Sequence, residues 1–292
     1  GPLAYYFYEN TFPNALPQLF REIGYSANSF HSFKKEFYNR ETLHYTYGFT
    51  YLYDWLDLNL EKKPEFVEAY NWIHDRELFT KAIDATNENA SEPFFDFFIS
   101  VSGHVPYVRE RYELEYDLWQ TIVLHGEAGE KYSTEALCYL AAQKTLDTGL
   151  EALIEKLRNT GQLENTVIAL YGDHYPYGLT KSATKELFTN LKNDYEIYRV
   201  PFIIWTPELT ESTTIEKVTS TYDIMPTLCN LFDINLDGHL ITGRDALSQK
   251  DGLVIFEDHS WLNDRAYFNA TKGSVIKLDP SITDQEINEI ND

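Results

Sequence analysis

The chain has 292 residues, of which 43% are hydrophobic and 24% charged, so a substantial core can form, and disordered or fibrous architectures are excluded. Its 24 Lys and Arg residues against 46 Asp and Glu give a net charge of −22, which disfavours binding to nucleic acid or to an anionic membrane surface. The two cysteines, Cys138 and Cys229, lie in apolar helical patterns, and two isolated thiols form neither a disulfide framework nor a zinc site. We expect both in the core.

The two ends of a chain can carry targeting or anchoring segments. No run here approaches the ~20 apolar residues that a membrane span requires, and the N-terminus lacks a signal-peptide pattern, so we expect this chain to be soluble. Gly1-Pro2 resembles the scar of a protease-cleaved tag, which predicts a larger parent protein cut before Leu3.

The elements alternate strands and helices, the pattern of an α/β domain with a mostly parallel central sheet flanked by helices. A short helix should end at Gly24, and the strand after it should deliver His31. Two apolar runs predict buried strands that lead into His104 and into Asp173. The predicted ranges in this half are helix 17–23 and strands 25–30, 94–101, 166–171 and 201–205.

The clearest helix runs from Ser133, a plausible N-cap, to about Asn159, with Gly161 as its stop. A second helix should begin at Asp223, with Pro226 in its first turn. Strands over 253–256 and 266–268 predict a small antiparallel region at about 250–292, and the acidic tail from 279 reads as an amphipathic or fraying end.

Three polar clusters follow predicted strands, where ligands gather in open α/β sheets. In the first, Asp173 and His174 come directly after a strand, and Gly172 allows the backbone to approach closely. A carboxylate and an imidazole side by side can hold one divalent cation. The alternative is a capping Asp beside a hydrogen-bonded His, which is the commoner case for an arbitrary Asp-His pair.

The second cluster is His104 in the loop after another strand, where an imidazole can hydrogen-bond a phosphate oxygen or be purely structural. The third spans 31–40 and carries a histidine and three basic residues against one acid, which in so acidic a chain favours an anion site, with Arg40 able to clamp a phosphate. A solvated loop explains that composition as well. Serine nucleophile, P-loop and dinucleotide motifs do not occur in the sequence.

Four segments together resemble the extracellular catalytic domain of the lipoteichoic acid synthase family, in the sulfatase and alkaline phosphatase superfamily. The similarity runs from about Thr11 to Asp245, and order and spacing also match. The Gly-Asp-His turn and the Asp-Ile-Met-Pro-Thr-Leu helix are shared across the superfamily, whereas the His…Tyr-Asn-Arg segment is narrower. The segments are His31–Arg40, Ser102–Tyr107, Tyr171–Tyr175 and Asp223–Leu228.

The resemblance implies a bacterial, membrane-anchored enzyme whose catalytic domain faces outward. It would move glycerol phosphate from phosphatidylglycerol, or a similar phospholipid head group, to a teichoic-acid-type acceptor through a phosphothreonine intermediate. Mn²⁺ or Mg²⁺ would be held partly by Asp173 and His174. The residues implied to bind the phosphoglycerol are His31, Arg40 and His104, with Tyr38 in place of the family's usual tryptophan.

The family's nucleophilic threonine and a metal-binding glutamate lie upstream of the matching segment, and Thr11 matches a non-catalytic position. We therefore expect residues 3–292 to be one sulfatase-like domain that is truncated at its N-terminus, with no catalytic nucleophile in the chain and with membrane spans upstream. Such a chain should be a monomer, bind metal weakly and turn nothing over.

Two other functions fit the same residues. The first is another reaction of the superfamily, as in a phosphoethanolamine transferase, a phosphodiesterase or a sulfatase. The second is a non-catalytic module that keeps the fold to bind glycerophosphate or wall polymer.

Overall fold

The computed structural model describes residues 5–60, 73–89, 93–111 and 132–291. The chain divides into two compact units, residues 1–209 and 210–292. The expected C-terminal region from about 250 lies inside the second unit, and the assignment of one catalytic domain over 3–292 stays a prediction.

A parallel sheet organises the first unit. Strand β1 (Ser26–His31) lies between β2 (Tyr51–Tyr53) and β3 (Phe94–Ile99), with His31 opposite Ile99. Because β1 has a strand on each side, its residues after Ser26 are buried. The predicted strand ending at His31 is confirmed, as is the α/β fold with a parallel sheet.

Strands form within 94–101 and 166–171 as predicted, but the prediction that these strands are buried is wrong. All of β3 is half-buried, and β4 (Ile168–Tyr171) ends in an exposed Tyr171. In the described part of the chain, β3 pairs with a strand on one side only, and β4 pairs only with β5 (Phe202–Trp205), which runs antiparallel to it. Strands with one neighbour keep more exposed surface than a central strand.

The two helices predicted in the first unit begin and end near the predicted residues, and three further helices were not predicted. The Ser133 hydroxyl accepts a hydrogen bond from the Ala136 N–H at 3.3 Å, which caps the longest helix, and Gly161 follows it with a left-handed φ of +75°. The helices are α1 (Leu16–Glu22), α2 (Arg40–Thr46), α3 (Asp75–Asn89), α4 (Thr134–Asn159) and α5 (Lys181–Leu187).

Helices α3 and α4 pack together with β1 to form the main core. Phe30 of β1, Leu78 and Ile83 of α3 and Leu157 of α4 belong to one buried cluster. Cys138 is also buried, as predicted. The core therefore supports the strand that ends at His31.

The second unit combines helix α6 (Ile224–Leu231) with a four-stranded antiparallel sheet in sequence order. The acidic tail forms a helix, α7 (Asp284–Asn291), whose Ile287 is buried against Trp261 and Ala266, so the tail is amphipathic. The strands are β6 (Leu253–Ile255), β7 (Trp261–Asn263), β8 (Ala266–Asn269) and β9 (Ser274–Lys277). The C-terminal antiparallel region is confirmed.

Gly252 permits a close backbone approach just before β6. A Cβ added there would lie 1.7 Å from the Val218 carbonyl oxygen, so Gly252→Ala must push two backbone segments apart. We expect this change to lower the free energy of unfolding by about 2 kcal/mol. The measurement is amide hydrogen exchange in β6 and β7.

Gly238→Ala is the matched control, because a Cβ at Gly238 would meet nothing within 4 Å. Equal hydrogen-exchange protection in the two variants would show that the backbone does not need a glycine at 252.

Candidate phosphate and metal site

His31 lies fully buried at the end of β1, in contact with Arg40. The Nη1 group of Arg40 donates a hydrogen bond to Nε2 of His31 at 2.5 Å, and the ring also hydrogen-bonds to the Ile99 backbone. Burial, reinforced by the charge of Arg40, lowers the pKa of His31 to about 3. His31 is therefore a neutral acceptor that holds the guanidinium, rather than a second cation.

Arg40 presents a positive charge that no described carboxylate neutralises. Its guanidinium carbon lies 5.3 Å from the ring centroid of Phe37 and 6.0 Å from that of Tyr38, and its hydrogen-bonding partner is His31. Burial lowers the pKa of Arg40, which nonetheless stays charged at neutral pH, as arginine does in proteins. A half-buried cation of this kind is suited to bind an anion.

The backbone beside Arg40 is strained. Tyr38 and Asn39 both adopt left-handed conformations, with φ of 56° and 55°, which is uncommon for residues other than glycine. The turn leaves the Tyr38 side chain 47% exposed next to the guanidinium. Strain of this kind concentrates at functional sites, where the surrounding structure maintains it.

The predicted basic cluster is smaller than its composition suggests. Lys35 lies 3.8 Å from both Glu41 and Asp57, so two carboxylates offset its charge, while Lys34 is exposed. Arg40 is thus the basic side chain of this segment that is half-buried and held against His31 at the end of β1.

A second buried imidazole, His44 of α2, lies close to Arg40, and sequence reasoning missed it. Its Nδ1 is hydrogen-bonded to the Ser29 hydroxyl at 2.8 Å, and its ring stacks on Phe49. Burial, together with the charge of Arg40, lowers the pKa of His44 to about 4. One neutral histidine, His31, is therefore hydrogen-bonded to Arg40, and a second, His44, lies near enough to feel its charge.

His104 follows β3, whose end lies at the same sheet edge as the end of β1, since these strands are parallel and His31 pairs with Ile99. The side chain is exposed. Its Nδ1 lies 2.7 Å from the Val105 carbonyl oxygen, which fixes the Nδ1–H tautomer and leaves Nε2 facing away from that bond. The outward nitrogen accepts a hydrogen bond when the ring is neutral and donates one when it is protonated.

The Gly-Asp-His turn follows β4. A Cβ on Gly172 would lie 2.9 Å from the Val200 Cβ, so the turn needs a glycine. Asp173 is 81% exposed, and its Oδ1 lies 3.5 Å from Nε2 of His174. Nδ1 of His174 lies 2.9 Å from the Tyr175 carbonyl oxygen, which places the ring proton on Nδ1 and leaves the lone pair on Nε2.

The two loops that carry these groups are in contact. Gly178, four residues after His174, lies so close to Val105 that a Cβ on it would be 2.1 Å from the Val105 Cγ1. The structure therefore brings His31, Tyr38 and Arg40 together, places His104 at the same sheet edge, and sets the Asp173–His174 turn beside the His104 loop. Within the described ranges, no group of three or more His, Cys, Asp or Glu residues is arranged to hold a metal ion.

A parallel sheet with polar loops beyond its strand ends and a Gly-Asp-His turn defines a known class. The chain belongs to the sulfatase family, whose family model matches residues 4–234.

Relatives within that class carry the name lipoteichoic acid synthase, which confirms the resemblance. The chain is 24% identical over 278 residues to the lipoteichoic acid synthase of Staphylococcus saprophyticus, covering 89% of this chain and 40% of that protein. It is 25% identical over 274 residues to the lipoteichoic acid synthase-like YvgJ of Bacillus subtilis, covering 87% and 41%. The chain thus spans about two fifths of the length of these curated relatives.

Solved structures show the same fold. The lipoteichoic acid synthase LtaP of Listeria monocytogenes superposes with a TM-score of 0.76 at 22% identity, covering 99% of this chain and 71% of that chain. An alkaline phosphatase superfamily protein of Vibrio parahaemolyticus gives 0.64 at 17% identity, covering 94% and 65%. Across the described residues, helices long and apolar enough to cross a membrane are absent.

Proteins of this superfamily are metal-dependent, and the Asp173–His174 pair fits part of a metal site. The two side chains supply a carboxylate oxygen and an imidazole nitrogen 3.5 Å apart. Two ligands of one ion are separated by about 3 Å when each lies about 2.1 Å from the ion. The hydrogen bond from Nδ1 fixes the tautomer that a metal-binding Nε2 requires.

Proposed function

We propose that the chain is most of the extracellular catalytic domain of a phosphoglycerol transferase of the lipoteichoic acid synthase type. It would act on phosphatidylglycerol or a similar phospholipid and pass glycerol phosphate to a teichoic-acid-type polymer. The names of its relatives support this function. The full-length protein would be anchored in the bacterial cell membrane and would use a threonine as its nucleophile.

The proposal depends mainly on the environment of Arg40. In a chain with a net charge of −22, its guanidinium is held by neutral His31 and two aromatic rings rather than by a carboxylate. Holding a cation in this way leaves its charge for a ligand. A phosphate monoester or diester matches the fork of an arginine in charge and geometry.

Each predicted site residue then has a place in binding. Arg40 and His104 contact the phosphoryl group, Tyr38 covers the glycerol moiety, and His31 acts through Arg40. Asp173 and His174 would hold the Mn²⁺ or Mg²⁺ ion, which would supply Lewis-acid stabilisation of the phosphoryl oxygens when bound. The protein residues contribute orientation and positive potential at a site that is ready before the substrate arrives.

Calorimetric titration of the chain with glycerol 1-phosphate, with and without Mn²⁺, tests this function. We expect glycerol phosphate to bind more tightly than phosphoethanolamine or inorganic sulfate, and Mn²⁺ to raise its affinity. Asp173→Asn and His174→Gln should remove the effect of Mn²⁺, whereas Asp251→Asn, at another exposed carboxylate, should retain it.

Equal affinity for glycerol phosphate, phosphoethanolamine and sulfate would contradict the assignment of the substrate. A Mn²⁺ effect that persists in Asp173→Asn and His174→Gln would contradict the assignment of the metal ligands.

A further inference from the structure

Two buried residues of opposite charge hold the loop that carries His104. They are Asp75, at the start of α3, and Arg111, in a turn that follows the loop. Both are outside the set of residues that the motifs identify. Together they make five hydrogen bonds to backbone groups of residues 101–105.

Asp75 holds the N–H side of the loop. Its Oδ1 accepts from the Val101 N–H at 2.8 Å and its Oδ2 from the Ser102 N–H at 2.9 Å. In return, the Ser102 hydroxyl accepts from the Asp75 N–H at 3.2 Å, at the first turn of α3. This reciprocal arrangement fixes the place where β3 gives way to the loop.

Arg111 holds the carbonyl side. Its Nη2 donates to the Val101 oxygen at 3.0 Å, and its Nη1 donates to the oxygens of His104 and Val105 at 3.1 Å each. The residue is 5% exposed. A guanidinium can bridge three carbonyls in this way because its donors form a rigid planar fork, which an ammonium group lacks.

These contacts reach both halves of the candidate site. The Val105 carbonyl oxygen that Arg111 binds also accepts from Nδ1 of His104, so the guanidinium and the imidazole meet on one atom. The Val105 side chain lies against Gly178 in the loop that follows His174. A shift of this backbone would therefore move His104 and loosen the contact between the two loops.

A general stabilising role does not explain this choice of residues. Buried charges contribute little net stability compared with apolar residues of similar size. They do impose one geometry on the groups that they bind, and here that geometry belongs to the loop that presents His104.

We infer that Asp75 and Arg111 are positioning residues that set the tautomer of His104 and its place beside the Asp173–His174 turn. The inference rests on the proposed function only for the identity of the ligand. The geometry of the loop can be measured without any ligand.

The first readout is the tautomer of His104, measured by long-range ¹H–¹⁵N correlation spectra on ¹⁵N-labelled chain at neutral pH. We expect the unsubstituted chain to show the Nδ1–H form of His104, and Arg111→Met to show a mixture of the two tautomers. Arg111→Lys, which keeps a charge without the fork, should lie between them. Arg158→Met, at an exposed arginine on α4, should match the parent.

The second readout is the affinity for glycerol 1-phosphate, which we expect to fall about 10-fold in Arg111→Met and less in Arg111→Lys. An unchanged Nδ1–H signal in a folded Arg111→Met chain would overturn the inference. If Arg111→Met fails to fold by circular dichroism, Arg111→Lys and Asp75→Asn decide it by the same spectra. If the unsubstituted chain shows the Nδ1–H form but does not bind glycerol phosphate, the proposed function fails and the positioning role stands.

Discussion

Arg40→Gln is expected to lower the affinity of the chain for glycerol 1-phosphate about 100-fold, because charge-assisted hydrogen bonds of an arginine to a phosphate contribute about 1.5–3 kcal/mol. The substitution removes a cation that is already desolvated and held by His31 and the two rings. In a full-length enzyme of the proposed type, the same change should reduce kcat/KM by about 10²- to 10³-fold, as loss of one preorganised charge-stabilising donor does. Calorimetry on the chain checks the change in affinity, and steady-state kinetics on the full-length enzyme check the change in kcat/KM.

Arg40→Lys separates charge from geometry. The lysine keeps the positive charge but lacks the planar fork of donors, so the affinity of Arg40→Lys should lie between those of the unsubstituted chain and Arg40→Gln. Arg158→Gln removes an equal charge from an exposed position on α4 and should leave the affinity unchanged. A fall of similar size in Arg40→Gln and Arg158→Gln would show that only net charge matters.

Local patterns predicted much of the fold. The strand that ends at His31, the helix capped by Ser133 and the Asp223 helix all appear within a few residues of their predicted positions. These elements have short-range causes, namely apolar periodicity, an N-cap hydroxyl and turn glycines. The burial of β3 was predicted wrongly because it depends on which strands become neighbours, and that is decided by distant parts of the chain.

The residues of the candidate site that lie in sequence motifs could be predicted, but the residues that hold those motifs in place could not. Composition and resemblance pointed to Arg40, His104 and the Asp173–His174 pair. The roles of Asp75 and Arg111 arise from contacts between separate elements, with Asp75 lying 27 positions before the Ser102 that it binds. The left-handed turn at Tyr38 also has no sequence signal, since tyrosine rarely adopts that conformation.

The site predicts a marked acid sensitivity of the fold. Burial and the charge of Arg40 lower the pKa of His31 to about 3 and that of His44 to about 4, from 6.5 in the unfolded chain. Between the pKa of each buried histidine and 6.5, the unfolded chain binds a proton that the folded chain does not. The free energy of unfolding is therefore highest above pH 6.5 and decreases as the pH falls. Each histidine should cost about 2 kcal/mol between pH 7 and pH 5.

Two buried carboxyls oppose this trend, because burial raises the pKa of Asp75 as well as that of Asp96. Asp96 of β3 accepts hydrogen bonds from Asn28 and Thr86, and burial raises its pKa from 3.8 to about 6. The folded state takes up this proton first, so stability rises by about 1 kcal/mol between pH 7 and pH 5. The contribution of a histidine is therefore taken from the difference between the unsubstituted chain and a histidine variant, each measured by urea unfolding at the two pH values.

Substitution of one histidine at a time assigns the effect. His44→Gln should reduce the loss between pH 7 and pH 5 by about 2 kcal/mol, since one of the two protonation sites is gone. His239→Gln, at a side chain that is 97% exposed in the second unit, should leave the loss unchanged. An equal loss in the unsubstituted chain and in His44→Gln would show that His44 is not held neutral in the folded state.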